Sequence, residues 1–254
     1  MSQVDDRIVA DGIVLIHAFP LDARMWERQR ATLGSQGWKV AAPSLPGFGG
    51  TDGAGDTMTT GAAADRCLQA ADAAGMNRFI VCGLSMGGYV AFALWRMARQ
   101  RLAGLVLANT RSGADTPGAA DGRRTLAERL EAEGSGFLVE QPPPLLSEHA
   151  GGALWSLVRQ IMADQPETAI AAAARGMAER PDSTPDLAGV DVPMLIVTAT
   201  DDTLIGPAVS AEMRDHHPEA GLVTIANAGH LSNLEAPEAF DEALTSFVRG
   251  FRHG

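Results

Sequence analysis

Six short apolar runs punctuate the chain: "IVLIH" at 13–17, "WKVAAP" at 38–43, "RFIVCG" at 78–83, "LAGLVLAN" at 102–109, "VPMLIVTA" at 192–199 and "GLVTIANA" at 221–228. The runs are continuous and do not alternate with polar residues. That pattern belongs to strands covered on both faces. Between them lie longer segments of helical character, at 23–35, 59–75, 86–100, 207–217 and 236–250. Pro207 and Pro237 fall where a first helical turn has no use for an amide hydrogen. Strand and helix in alternation predict an α/β protein with a mostly parallel, doubly wound sheet and helices on both faces.

One stretch interrupts this alternation. Residues 111–190 carry helical patterns such as "RRTLAERLEAEG" and "ALWSLVRQIMADQ", with "QPPPLL" between them and no strand pattern. A helical insertion is expected there, resting as a cap on the carboxyl edge of the sheet, where α/β proteins bind ligands. The expected division is a core of 1–110 and 191–254 with a cap of 111–190.

Composition narrows the partners. The 254 residues are 46% hydrophobic and 20% charged, as in an ordinary globular chain. A net charge of −11 opposes phosphate backbones and anionic lipid, so neither a nucleic-acid nor a membrane partner is expected. No apolar stretch approaches the roughly 20 residues of a membrane span. Asp5, Asp6 and Asp11 without an apolar core do not fit a signal peptide, and the expected location is the cytoplasm. Cys67 and Cys82 make no disulfide framework, and Cys82 reads as a small buried residue.

The candidate chemistry begins at "GLSMG", residues 83–87, which fits G-x-S-x-G between a predicted strand and a predicted helix. A nucleophile on so sharp a turn is strained, and its neighbours two residues away must be small. The amides of the following helix are unpaired and can donate to an anion. Ser85 needs a base, because a free hydroxyl is a weak nucleophile. Of the six histidines, His230 lies in a glycine-containing loop just after the last predicted strand. No pair of histidines, with or without the cysteines, has metal-ligand spacing, so no metal site is expected. An acid should orient the imidazole. "TATDDTLIGP" offers Asp202, with Asp201 as the alternative, at the end of the strand 192–199. Asn109 ends the strand 102–109, but an amide cannot serve as the acid.

The order Ser85, Asp202, His230 resembles that of the α/β-hydrolase fold. Four motifs carry the resemblance over nearly the whole chain: "HAFP" at 17–20, "GLSMGG" at 83–88, the "DD" pair with Pro207 beyond it, and "AGHLSNLEAPEAF" at 228–240. Their wording looks most like the branch of small carboxylesterases, enol-lactonases and cofactor-free haloperoxidases. The resemblance implies a cofactor-independent hydrolase acting on a small ester or lactone. It implies an oxyanion hole from the backbone N–H groups of Phe19 and Met86, with His17 tying down the loop. It also implies an apolar pocket lined by Phe19, Met86, Leu231, Trp155 and Met162. A small anionic lactone would want a cation such as Arg111, Arg124 or Arg159. A perhydrolase would use the same three side chains, and a silent ligand receptor on this scaffold is the non-enzymatic alternative. The family usually begins with two antiparallel strands. Only twelve residues precede Ile13, so that element is expected to be truncated, with homodimer formation one way to cover the sheet edge.

Overall fold

The computed structural model describes residues 8–53 and 55–254. A short strand β1 (Ile8–Ala10) leads into β2 (Gly12–Ile16). A single 3-10 turn at Ala23–Trp26 precedes α1 (Glu27–Ser35), β3 (Lys39–Ala41), α2 (Thr60–Ala73), β4 (Phe79–Leu84), α3 (Met86–Ala98) and β5 (Leu102–Ala108). The helical insertion follows: α4 (Pro117–Glu133), α5 (Gly136–Glu140), α6 (Gly152–Ala163), α7 (Glu167–Ala178) and α8 (Thr184–Leu187). The chain then returns through β6 (Met194–Ala199), α9 (Pro207–His216), β7 (Gly221–Ile225), α10 (Ser232–Glu235), α11 (Pro237–Val248) and β8 (Phe251–His253).

Six strands form one parallel sheet in the order β3-β2-β4-β5-β6-β7. Each of the six apolar runs became one of these strands. The residues of β2, β4, β5 and β6 are all buried, as continuous apolar runs require. Fully burying one such aliphatic side chain contributes about 1.5–3 kcal/mol, so the central strands supply much of the driving force. The chain steps from β2 to β3 in one direction and from β3 across to β4 in the other. Right-handed crossovers therefore put α1 and α2 on opposite faces. In keeping with this, α1 packs on α11 and α2 packs on α3. The reversal falls between β2 and β4, and a crevice opens outside their carboxyl ends.

Proline begins α4, α9 and α11, where its missing N–H costs nothing. Thr59 and Thr116 cap α2 and α4 by accepting from the amides of Ala62 and Ala119. Among the described residues the amino-terminal part contributes one three-residue strand. It pairs in parallel with β8 in a separate two-stranded sheet, with Ile8 opposite Phe251. Residues 1–7, including Asp5 and Asp6, lie outside the described residues. The strand β8 has no counterpart among the apolar runs, being too short to show a period. Among the described residues no helix is long and apolar enough to cross a membrane.

Candidate active site

Ser85 occupies the step from β4 to α3 with φ 57° and ψ −116°. A non-glycine residue held there stores about 1–3 kcal/mol of strain, which its surroundings must over-determine. Its N–H donates to the Ala108 carbonyl at 2.9 Å. Its own carbonyl accepts from the Gly88 N–H at 2.9 Å and the Thr110 hydroxyl at 2.8 Å. The flanking glycines are required for close approach. A Cβ on Gly83 would stand 2.2 Å from the Gly87 carbonyl oxygen, and one on Gly87 would stand 2.2 Å from that of Ile16. Neither glycine has positive φ, so the constraint is contact with neighbouring backbone and not left-handed geometry.

The His230 loop and the β6–α9 loop meet this turn. His230 Nε2 lies 2.7 Å from Ser85 Oγ, and Nδ1 lies 2.9 Å from Asp202 Oδ2. All three side chains are buried or nearly so, with Ser85 the most open of them. Asp202 Oδ1 accepts from the N–H groups of Leu204 and Ile205 at 3.0 and 2.8 Å. Oδ2 also accepts from Asn109 Nδ2 at 2.9 Å. Burial opposes ionisation of this carboxyl, but hydrogen bonds from His230, the Ile205 amide and Asn109 hold it below the usual carboxylate range. Asp201 instead accepts from Thr200 Oγ1 and points away from His230 into an outer hollow. Asn109 thus has a place that sequence reasoning missed. It orients Asp202 and is itself held by Ser232, whose hydroxyl donates to Asn109 Oδ1 at 2.6 Å. Its position at a strand end was the available signal.

The N–H of Met86 opens α3 and that of Phe19 follows β2. Among the described residues neither donates to another protein group. Two unpaired amides beside a buried hydroxyl can hold developing negative charge. His17 secures the loop that carries Phe19. Its Nε2 accepts from the Leu45 N–H at 2.9 Å, and Nδ1 faces the Ala18 carbonyl at 3.1 Å. Burial pushes this imidazole down to about 4, so it is neutral at pH 7. Both thiols are buried, and burial alone pushes Cys82 up, which leaves them inert near neutrality.

Ser85 and His230 open into a cavity of about 510 Å3, on the scale of a small-molecule site. Phe19, Leu204 and Ile205 from the sheet side and Leu126, Leu138 and Met177 from the insertion make its apolar walls. Phe19 and Arg111, both named from the sequence, line it, and Arg111 Nη2 donates to the Leu204 carbonyl at 3.1 Å. The other expected wall residues lie elsewhere. Leu231 and Met162 are fully buried in the hydrophobic core. Met86 is also buried and contributes no wall, only its amide. Trp155 lines the outer hollow together with Arg159, whose guanidinium lies 5.4 Å from the indole centroid. Arg124 pairs with Asp121 on the surface. The strap "QPPPLL" separates the two spaces. Pro143 and Leu145 face the cavity, while Pro142, Pro144 and Leu146 face the hollow. The Leu231 N–H ties the strap to the histidine loop through the Leu145 carbonyl at 2.8 Å. Glu235 does the same by accepting from the Ser147 and Gly229 amides, each at 2.9 Å.

Comparison with known proteins agrees with this fold. Residues 13–243 match the description "Alpha/beta hydrolase family", and the chain belongs to that family. It is 28% identical over 247 residues to 3-oxoadipate enol-lactonase 1 of Acinetobacter baylyi, covering 96% of this chain and 90% of that one. It is 31% identical over 243 residues to the pimeloyl-(acyl-carrier protein) methyl ester esterase of Nitrosomonas europaea, covering 90% and 92%. Among solved structures, a thermophilic esterase from Thermogutta terrifontis with malate bound superposes with a TM-score of 0.90 at 38% identity, covering 96% of this chain and 91% of that one. These relatives are ester or lactone hydrolases.

Proposed function

We propose that the protein is a serine hydrolase that cleaves carboxylic ester bonds of small substrates. The observation that carries this reading is the unbroken run of hydrogen bonds from Ser85 through His230 to Asp202 on the cavity wall. Ser85 Oγ attacks the ester carbonyl as His230 Nε2 takes its proton. Asp202 holds the imidazole by Nδ1 and offsets its new positive charge. The Phe19 and Met86 amides receive the oxyanion, each donor being worth about 3 kcal/mol of barrier. His230 then protonates the departing alkoxide, leaving Ser85 acylated. Water, deprotonated by the same imidazole, attacks the acyl group and releases the acid. The cycle closes without a cofactor.

A lactone would open by the same attack, with the alcohol remaining tethered to the product. Arg111 on the cavity wall and the enol-lactonase relative favour this as the second reading. The similar thermophilic esterase was solved with malate bound, which fits a carboxylate-bearing ligand. A perhydrolase would exchange peroxide for water on the same acyl-enzyme, and a receptor would need none of the three hydrogen-bonded groups. The test is turnover of p-nitrophenyl butyrate. Ser85→Ala is expected to lose about 10^4-fold or more while melting at the wild-type temperature. Equal turnover by the mutant would refute the mechanism.

A further inference from the structure

The insertion brings charge into a cavity that is otherwise mostly apolar. Arg111, Asp115 and Arg123 all line it. Both oxygens of Asp115 are engaged. Oδ1 pairs with Arg180 Nη1 at 2.8 Å and Oδ2 with Arg123 Nε. Arg180 is fixed in turn by the carbonyls of Met177 and Gly113, at 2.8 and 3.0 Å, and lies 4.0 Å from the Tyr89 ring centroid. The side chains of Asp115 and Arg180 are 4% and 3% exposed, whereas that of Arg123 is 26% exposed. Asp115 therefore holds Arg123 by Nε alone. Among the described residues the terminal nitrogens of Arg123 have no partner.

Two guanidinium groups and one carboxylate line this wall, and the carboxylate is shared with the buried Arg180, so the wall is positive in a chain whose net charge is −11. An unpaired guanidinium is cheap while water fills the cavity. A neutral ester would expel that water and leave the N–H groups without acceptors, a penalty of the kind that strongly separates otherwise similar ligands. A carboxylate would instead accept two parallel hydrogen bonds from the Arg123 fork. We infer that Arg123, clamped by Asp115, recognises a free carboxylate on the substrate, so that the preferred substrates are monoesters or lactones of dicarboxylic acids. This rests on the hydrolase reading above.

The test pairs methyl hydrogen glutarate with methyl pentanoate, which differ in one end group, carboxylate against methyl. The wild-type protein is expected to favour the charged ester at least tenfold in kcat/KM. Arg123→Gln should cut that preference at least tenfold, chiefly through KM, and Arg123→Lys should retain part of it. In parallel, glutarate should raise the melting temperature of Ser85→Ala but not that of the protein carrying both Ser85→Ala and Arg123→Gln. Preference of the wild type for the neutral ester, or a loss shared equally by both esters in Arg123→Gln, overturns the inference. Ser85-dependent hydrolysis of methyl pentanoate without preference for the glutarate ester removes the inference and leaves the hydrolase reading standing. Arg123-dependent stabilisation by glutarate without turnover of either ester removes the hydrolase reading and the substrate preference with it, and leaves only carboxylate binding at Arg123. Neither turnover nor stabilisation removes both.

Discussion

The carboxyl edge of the sheet and the helical insertion enclose one cavity but are held by different forces. At the edge, backbone packs closely on backbone at Gly83 and Gly87 and on the Thr110 side chain at Gly88. Hypothetical side chains on Gly83, Gly87 and Gly88 all collide with neighbours at under 2.5 Å, and Ser85 is locked in a strained conformation between them. In the insertion the packing is uneven: Gly176 of α7 sits tight against the Met58 carbonyl, but Gly118 and Gly122 of α4 have nothing within 4 Å of a hypothetical Cβ. There the cavity wall is made by side chains: Ala119, Arg123 and Leu126 on one face of α4, and Met177 from α7. The edge tolerates almost no change of shape, which suits groups that must meet within hydrogen-bond distance. Helix α4 can exchange side chains without disturbing that geometry, which suits selection among substrates.

The contrast can be broken most severely at the elbow. Gly87→Ala places a methyl group against the Ile16 carbonyl, and we expect a loss of at least about 3 kcal/mol together with most of the activity. A urea denaturation midpoint equal to that of the wild type would show that the turn can relax.

A comparable effect comes from the buried imidazole behind the oxyanion loop. Folding lowers the His17 pKa from 6.5 to about 4, so between these values the unfolded chain binds a proton that the folded chain does not. The stability this provides is complete above pH 6.5 and is lost as pH falls towards 4, by about 3 kcal/mol in all. His17→Gln should be less stable at pH 7 but should lose less between pH 6.5 and 4. Parallel stability curves for the two proteins would remove His17 as the cause.

The smallest effect has the opposite sign. Gly122→Ala lies on the exposed face of α4 and should stabilise by about 0.5–1 kcal/mol, read as a higher melting temperature. A lower melting temperature would mean that α4 is as tightly constrained as the elbow.

The same contrast governs what was legible in the sequence. The central strands β2, β4, β5 and β6 are buried on both faces and write themselves as apolar runs; β3 and β7 at the sheet edges are only partly buried, yet their runs also appear within a few residues of their bounds. The loops carrying Ser85, Asp202 and His230 follow directly from the strand ends. The walls of the cavity were harder to read, because they depend on how each helix rotates about its axis. Leu231 and Met162 turn into the core, and Trp155 turns to the outer hollow. Arg124 faces solvent while Arg123 beside it faces the cavity. The spacing of Ala119, Arg123 and Leu126 marks that face in retrospect, but little in the local pattern separates it from its neighbours. Helix α7 was obscure for a related reason. Residues 169–174 are all buried and five of the six are alanines, so small size lets it pack closely, including against α4, and no polar face alternates with an apolar one to read.

The central claim is that Ser85 is the activated nucleophile, and covalent labelling tests it most directly. Diisopropyl fluorophosphate should phosphorylate Ser85 Oγ with loss of fluoride, giving one adduct per chain by intact mass. Peptide mapping should place it on the segment containing Ser85, with turnover falling in proportion. His230→Ala should slow labelling by about 100-fold or more. Undiminished ester hydrolysis after exhaustive treatment, or an inactivating adduct on a different serine, would contradict the account.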